Sequence, residues 1–137
     1  MDFITTSRLA KQAGVSIQTI YFYERRMLLP TPVRSRNGHR RFPPETITHI
    51  LFIRQAQVYG FTLKEIAELR KCLFGEKRDC LRGRDKIRRK IKEMSEMNII
   101  LRKHSAQLKK ILTLCKKGRP HNRCHLLDLF VKYSGSR

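Results

Sequence analysis

From Asp79 to Cys115 the chain has no proline and only one glycine, Gly83, and an apolar seam runs through most of this stretch. Alternating steps of four and three from Ile87 pick out Ile87, Ile91, Met94, Asn98, Leu101, Ser105, Leu108, Leu112 and Cys115. Seven of these nine are apolar when cysteine is counted, which specifies a heptad seam and hence a coiled coil. A helix of this length has nothing in its own chain to bury the seam against, so a homodimer is the economical arrangement. Asn98 and Ser105 are polar seam positions that can fix register and partner number.

The first 75 residues follow different rules. Phe3 to Thr6 is a short extended stretch, and Thr6 is expected to cap a helix over Arg8–Ala13 that stops at Gly14. Ser16 is a second N-cap, for a helix from Ile17 to about Arg26. Two short helices joined by a Gly-containing turn form a helix-turn-helix, with Leu9, Ala10, Val15 and Ile20 apolar where the two should meet. Pro30 and Pro32 then break helix. Asn37-Gly38 sits inside the cationic run Arg34 to Phe42, a strong hairpin signal, and a basic hairpin beside a helix-turn-helix makes a wing that grips phosphates. A helix starts at Pro43-Pro44-Glu45 and reaches Tyr59 before Gly60. Thr62 and Glu65 form a capping box for the next helix, which ends near Leu73, before Gly75. Past the long helix, Lys116 to Arg123 is a basic loop and His125 to Val131 a short apolar helix.

Charge narrows the function. The 137 residues carry a net +20, split as +7 over residues 1–75 and +13 over residues 76–137. So large an excess calls for an anionic partner, nucleic acid first and an acidic membrane second. No apolar run approaches the ~18 residues of a membrane span. The N-terminus lacks the pattern of a signal peptide, so a cytosolic, reducing compartment is expected. The four cysteines, Cys72, Cys80, Cys115 and Cys124, then read as metal ligands, redox thiols or packing residues rather than a disulfide framework.

Cys80 and Cys115 are five heptads apart, so both fall on the seam stripe, but they lie roughly 50 Å apart along one helix. Between two antiparallel helices whose two-fold axis lies near Met97 and Asn98, residue 80 of one chain faces residue 115 of the other. The expected site is Cys80 from one subunit with Cys115 and Cys124 from its partner. Three thiolates select thiophilic ions and suit Hg(II) or Pb(II). Zinc prefers four ligands, and His121 or His125 can supply the fourth, so Zn(II) and Cd(II) stay open. Lys116, Lys117, Arg119 and Arg123 favour the thiolate form. Cys72 reads as a packing residue, His39 as a wing residue, and His49 and His104 as helix-surface residues.

The run Ala10 to Ser16, then Thr19 to Arg25, Leu28-Leu29-Pro30, Arg34 to Phe42, and Gly60 to Ile66 resembles the MerR family of bacterial transcription regulators. The likeness is close over the first 75 residues and extends to about residue 130. It implies a winged helix-turn-helix head, an antiparallel coiled-coil homodimer, and an inducer site beyond the long helix. It also implies a promoter with an overlong spacer, repressed by the dimer and activated when the loaded dimer untwists it for RNA polymerase. The three cysteines resemble the mercury branch, which the lead branch shares closely. Copper-group members resemble one another in lacking a cysteine at the position of Cys80, so the ion is expected to be divalent. Two residues depart from the family: Tyr21, where arginine is frequent, and His39, where tyrosine is frequent.

The reading is therefore mainly α: a winged helix-turn-helix domain over residues 1–75, a dimerisation helix over 76–115 forming an antiparallel coiled coil, and a metal-binding loop with a short helix over 116–137. Promoter DNA contacts are expected from Thr19, Tyr21 and Arg25 on the second helix and from Arg34, Arg36, His39, Arg40 and Arg41 in the wing. Arg25 or Arg41 could instead be an ion-pair partner within the head. Hg(II) is the favoured inducer, with Pb(II), Cd(II) or Zn(II) as alternatives. A thiol redox sensor and a basic architectural protein are competing functions. No nucleophile–base set or phosphate loop points to an enzyme. The bacterial cytoplasm, associated with the nucleoid, is the expected location.

Overall fold

The computed structural model describes residues 2–114 and 125–132, with the backbone alone at His125. Thr5, rather than Thr6, starts the first helix: its hydroxyl accepts from the Arg8 amide at 3.2 Å. Helix α1 (Thr6–Ala13) therefore begins at Thr6, and the extended residues before it form strand β1 (Ile4–Thr5). Ser16 caps α2 (Ile17–Arg25) as expected, accepting from the Thr19 amide at 3.1 Å. The end of α2 was not foreseen in kind. Leu28 N–H reaches the Tyr23 carbonyl and Met27 N–H the Glu24 carbonyl, which is a Schellman motif. Its left-handed residue is Met27, at φ 56°, where glycine is the usual occupant.

The wing comprises β2 (Val33–Arg34) and β3 (Arg40–Phe42), paired antiparallel with Val33 opposite Arg41. Gly38, at φ 77°, makes the turn between them. Strand β3 is central, because β1 pairs on its other edge with Ile4 opposite Phe42. That third strand ties the start of the chain to the wing.

Helix α3 (Thr46–Val58) and helix α4 (Leu63–Phe74) complete the head. The Thr62–Glu65 capping box is present in both directions. Leu9, Ile20, Leu28, Phe42, Ile50, Ile53 and Ile66 are fully or almost fully buried in one cluster. Each such side chain contributes roughly 1.5–3 kcal/mol by leaving water. Phe42 carries β3 into this cluster, so the wing is held to the helix-turn-helix by core packing. Arg54 of α3 donates to the carbonyls of Ala13 and Gly14, satisfying the end of α1.

Helix α5 runs from Cys80 to Leu114, capped by Asp79, which accepts from the Arg82 amide at 3.0 Å. A Cβ on Gly83 would stand 3.3 Å from Leu73 and 3.7 Å from Cys72, so the lone glycine of this helix allows close approach to α4. Lys86 of α5 meets Glu68 of α4 at 3.2 Å, and this hydrogen bond holds the Glu68 carboxyl below its ordinary range. Residues 1–86 and 87–137 are two compact units, the division falling within α5. In the second unit, α6 covers His125–Lys132. The seam side chains Ile87, Ile91, Met94, Leu101, Leu108 and Leu112 are all exposed. No described helix is long and apolar enough to cross a membrane.

Cys72 is buried, in line with its packing role, whereas His49 is not the surface residue expected. It lies inside, stacked on Phe74 at 4.1 Å, with Arg70 Nε donating to its Nδ1 at 3.4 Å. The sequence reading took α3 to have a polar outer face at this position, but α4 packs over it. Burial, reinforced by the Arg70 charge, pushes the His49 pKa below its ordinary 6.5. The folded state then binds fewer protons than the unfolded chain as the pH falls. This contribution to stability is complete above pH 6.5 and is lost as the pH falls towards the folded-state pKa. The expected loss is at most about 1.4 kcal/mol per pH unit. Urea denaturation between pH 7.5 and 5 measures it, and His49→Gln, which keeps an acceptor for Arg70, should flatten the curve in that window. Equal slopes for the two proteins would contradict the assignment.

Candidate functional site

Helix α2 has two faces. Ile20 and Tyr23 point inward and are buried, and the Tyr23 hydroxyl donates to Gln57 of α3 at 3.2 Å. The opposite face carries Gln18, Tyr21 and Arg25, on successive turns at i, i+3 and i+7. Gln18 and Arg25 are exposed and Tyr21 is half-buried. Gln18 was not among the expected contact residues, although this same spacing places it beside them. Thr19, another of the expected contact residues, lies on the flank of this face, with its hydroxyl 2.9 Å from that of Ser16 at the helix cap.

The wing residues divide by their partners. Arg34 Nη1 donates to the Gly38 carbonyl at 2.9 Å and so closes the hairpin from within. Arg36 and His39 are exposed near the tip, and the His39 carbonyl accepts from the Ser35 amide. Arg41 is half-buried on the central strand. Arg40 turns towards α2. Its Nε lies 3.0 and 3.2 Å from the two carboxylate oxygens of Glu24, and its guanidinium carbon stands 4.8 Å from the centre of the Tyr21 ring. The Nε–H bonds Oε1, so Glu24 Oε2 is in ion-pair contact with Arg40 without a hydrogen bond of its own. The ion pair within the head is thus made by Arg40, not by Arg25 or Arg41. Its side chains are 32% and 24% exposed, so water screens it to about 1 kcal/mol or less.

Helix α2 and the wing therefore present one surface of amide, phenol and guanidinium groups, supported by a rigid core. Those groups match what a duplex offers. Glutamine and arginine can bind base edges in pairs of hydrogen bonds, and wing cations suit phosphates.

The thiols lie elsewhere. Cys80 is the first residue of α5 and is exposed. Cys115, Cys124 and His121 lie outside the described residues, as does the side chain of His125. Among the described residues no group of three or more His, Cys, Asp or Glu side chains is gathered as a metal site. Among the described residues the free thiols are Cys72, which is buried, and Cys80, which is the exposed soft donor.

Comparison with known proteins places this arrangement. Residues 4–71 match the MerR HTH family regulatory protein family, a span that begins at β1 and ends within α4. An HTH-type transcriptional regulator of Synechocystis sp. is 32% identical over 129 residues, covering 91% of this chain and 94% of the relative. The mercuric resistance operon regulatory protein of Pseudomonas fluorescens is 32% identical over 127 residues, covering 93% of this chain and 87% of its own. Among solved structures, a transcription regulator from Ralstonia metallidurans CH34 in complex with lead(II) superposes with a TM-score of 0.80 at 26% identity, covering 91% of this chain and 97% of its own. The helix-turn-helix and wing are thus those of a DNA-binding protein family, and the chain belongs to the MerR family of helix-turn-helix transcriptional regulators.

Proposed function

We propose that this chain is a metal-responsive regulator that binds promoter DNA as a homodimer and switches its promoter when thiolates capture a thiophilic ion. The observation that carries the reading is the exposed Cys80 at the start of α5, in heptad register with Cys115 on a helix whose seam is exposed. Two seams packed antiparallel about Met97 and Asn98 bury those side chains. They also bring Cys80 to the end of the partner helix, where Cys115 and Cys124 of that chain complete a three-sulfur set. Two relatives, a mercuric resistance operon regulator and a regulator in complex with lead(II), support the same class of ion. Hg(II) is the favoured inducer. Pb(II) is next, and Cd(II) or Zn(II) would call on His121 or His125 as a further ligand.

At the DNA end, α2 reads base edges through Gln18, Tyr21 and Arg25, while Arg36, His39 and Arg41 of the wing face phosphates. The metal-free dimer represses and the loaded dimer activates by distorting the promoter, so that RNA polymerase can use it. Bacterial cytoplasm, at the nucleoid, is the matching location. A thiol redox sensor uses the same cysteines without a metal, and the test below separates the two.

Replacing Arg36 with glutamine should weaken DNA binding for all sequences and lower the salt slope by about one. Gln18→Ala should instead relax base preference, at a cost of about 1–3 kcal/mol in discrimination. Thr19→Val should leave the salt slope unchanged, since it removes no charge, and should leave base preference unchanged, because its hydroxyl belongs to the cap. Fluorescence anisotropy across a salt series reads all three, and equal salt slopes for wild type and Arg36→Gln would contradict the wing assignment.

Cys80→Ser, Cys115→Ser and Cys124→Ser should each abolish metal-induced transcription while leaving operator binding intact. Metal affinity should drop by more than the roughly 10–100-fold that losing an outer-shell partner costs. Titration of the reduced protein with Hg(II), Pb(II), Cd(II) and Zn(II), followed by thiolate charge-transfer absorption, reads the ion. Normal induction in Cys80→Ser would rule out the shared three-thiolate site, and a response to peroxide that a chelator leaves untouched would establish the redox alternative.

A further inference from the structure

We infer that Tyr21 is a specificity-determining residue of the DNA surface and that Arg40 is its positioning residue rather than a phosphate contact. The inference rests on the DNA-binding role of α2 and the wing. Three observations lead to it. Arg40 Nε is held by the Glu24 carboxylate, on the same helix as Tyr21 and three residues further on. The Arg40 guanidinium covers one side of the Tyr21 ring, 4.8 Å from its centre. The Tyr21 ring is half-buried, and among the described residues its hydroxyl carries no hydrogen bond.

These contacts make one unit from two elements. Glu24 fixes Arg40, Arg40 fixes the ring, and the ring is left with its edge and its hydroxyl for the duplex. A phenol on the exposed face of α2 can donate to a base-edge acceptor or a phosphate oxygen, and its ring edge can meet a thymine methyl. It adds no charge, so its contribution is insensitive to salt. Lysine cannot replace Arg40 in this arrangement. An ammonium lacks the planar group that stacks on a ring while one of its nitrogens bonds a carboxylate. The wing therefore does more than add cations beside α2. Through Arg40 it sets the angle from which Tyr21 meets the groove.

The test uses the full-length chain and duplexes that it selects from a randomised pool. Binding of each variant is then measured on the best duplex, on all its single base-pair substitutions, and across a salt series. Tyr21→Phe should weaken binding about tenfold, leave the salt slope unchanged, and relax preference at one base-pair position. Arg40→Gln and Arg40→Lys should relax preference at that same position, again with an unchanged salt slope, and Tyr21→Phe in either background should cost little more. Relaxed preference at one position is a readout that a general loss of folding would not give. A hydroxyl bound to phosphate would show as the tenfold loss spread evenly over all base pairs, and that result would overturn Tyr21 as a specificity residue. A salt slope lowered by about one in Arg40→Gln but not in Arg40→Lys would make Arg40 a phosphate contact and overturn the positioning role. Failure of the wild-type chain to select any duplex would instead overturn the DNA-binding reading itself, which separates the two failures.

Discussion

Six large apolar side chains on one stripe of α5 meet water when the chain is alone, and relieving that exposure is the constraint on which the proposed assembly rests. Each gains roughly 1.5–3 kcal/mol on full burial, so a partner with the same stripe is the simplest complement. A two-fold interface is self-complementary by construction. The polar seam positions Asn98 and Ser105 then choose among registers, since a misaligned polar group would face an apolar one. The register that places Met97 and Asn98 at the axis also brings Cys80 to the far end of the partner helix. In the proposed arrangement assembly and sensing follow from one repeat: the seam makes the dimer, and the dimer makes the ligand set.

The head depends on a second constraint, the core beneath the wing. Phe42 is fully buried and lies on the strand that pairs with both β1 and β2. The wing cannot swing freely on its turn, because its central strand is nailed into the same cluster as Ile20 of α2 and Ile50 of α3. The Arg40 contacts to Glu24 and Tyr21 repeat this coupling at the surface. α2 and the wing therefore form one rigid face, which suits the proposed output, a change in duplex shape.

The sequence made the local devices legible and the long-range ones much less so. Ser16 and the Thr62–Glu65 box act within four residues of themselves, and their chemistry can be read directly. The Asn37-Gly38 turn is of the same kind. The pairing of Ile4 with Phe42 spans the whole helix-turn-helix, and a two-residue strand has no alternation to betray it. Met27 broke the expectation that glycine marks a left-handed helix end, because buried Leu28 and Tyr23 fix the Schellman motif without it. His49 was misplaced because its burial comes from Phe74, twenty-five positions away on another helix. Arg40 was read as a free wing cation for the same reason: nothing nearby in sequence marks Glu24 as its partner. Gln18 was readable from its spacing to Tyr21 and Arg25, which puts all three on one helical face.

The direction of the helix pair is the point on which the shared-thiolate account stands. Spin labels introduced as unnatural side chains at Glu96 and at Lys110, leaving the native thiols untouched, give the distance between equivalent positions of two subunits by pulsed electron resonance. Antiparallel pairing about Met97 and Asn98 predicts a short separation at position 96 and one of roughly 40 Å at position 110, from the ~1.5 Å rise per residue. Short separations at both positions would mean parallel helices. Cys80 would then lie at the opposite end of the pair from its partner's Cys115, and the site proposed for the metal could not form.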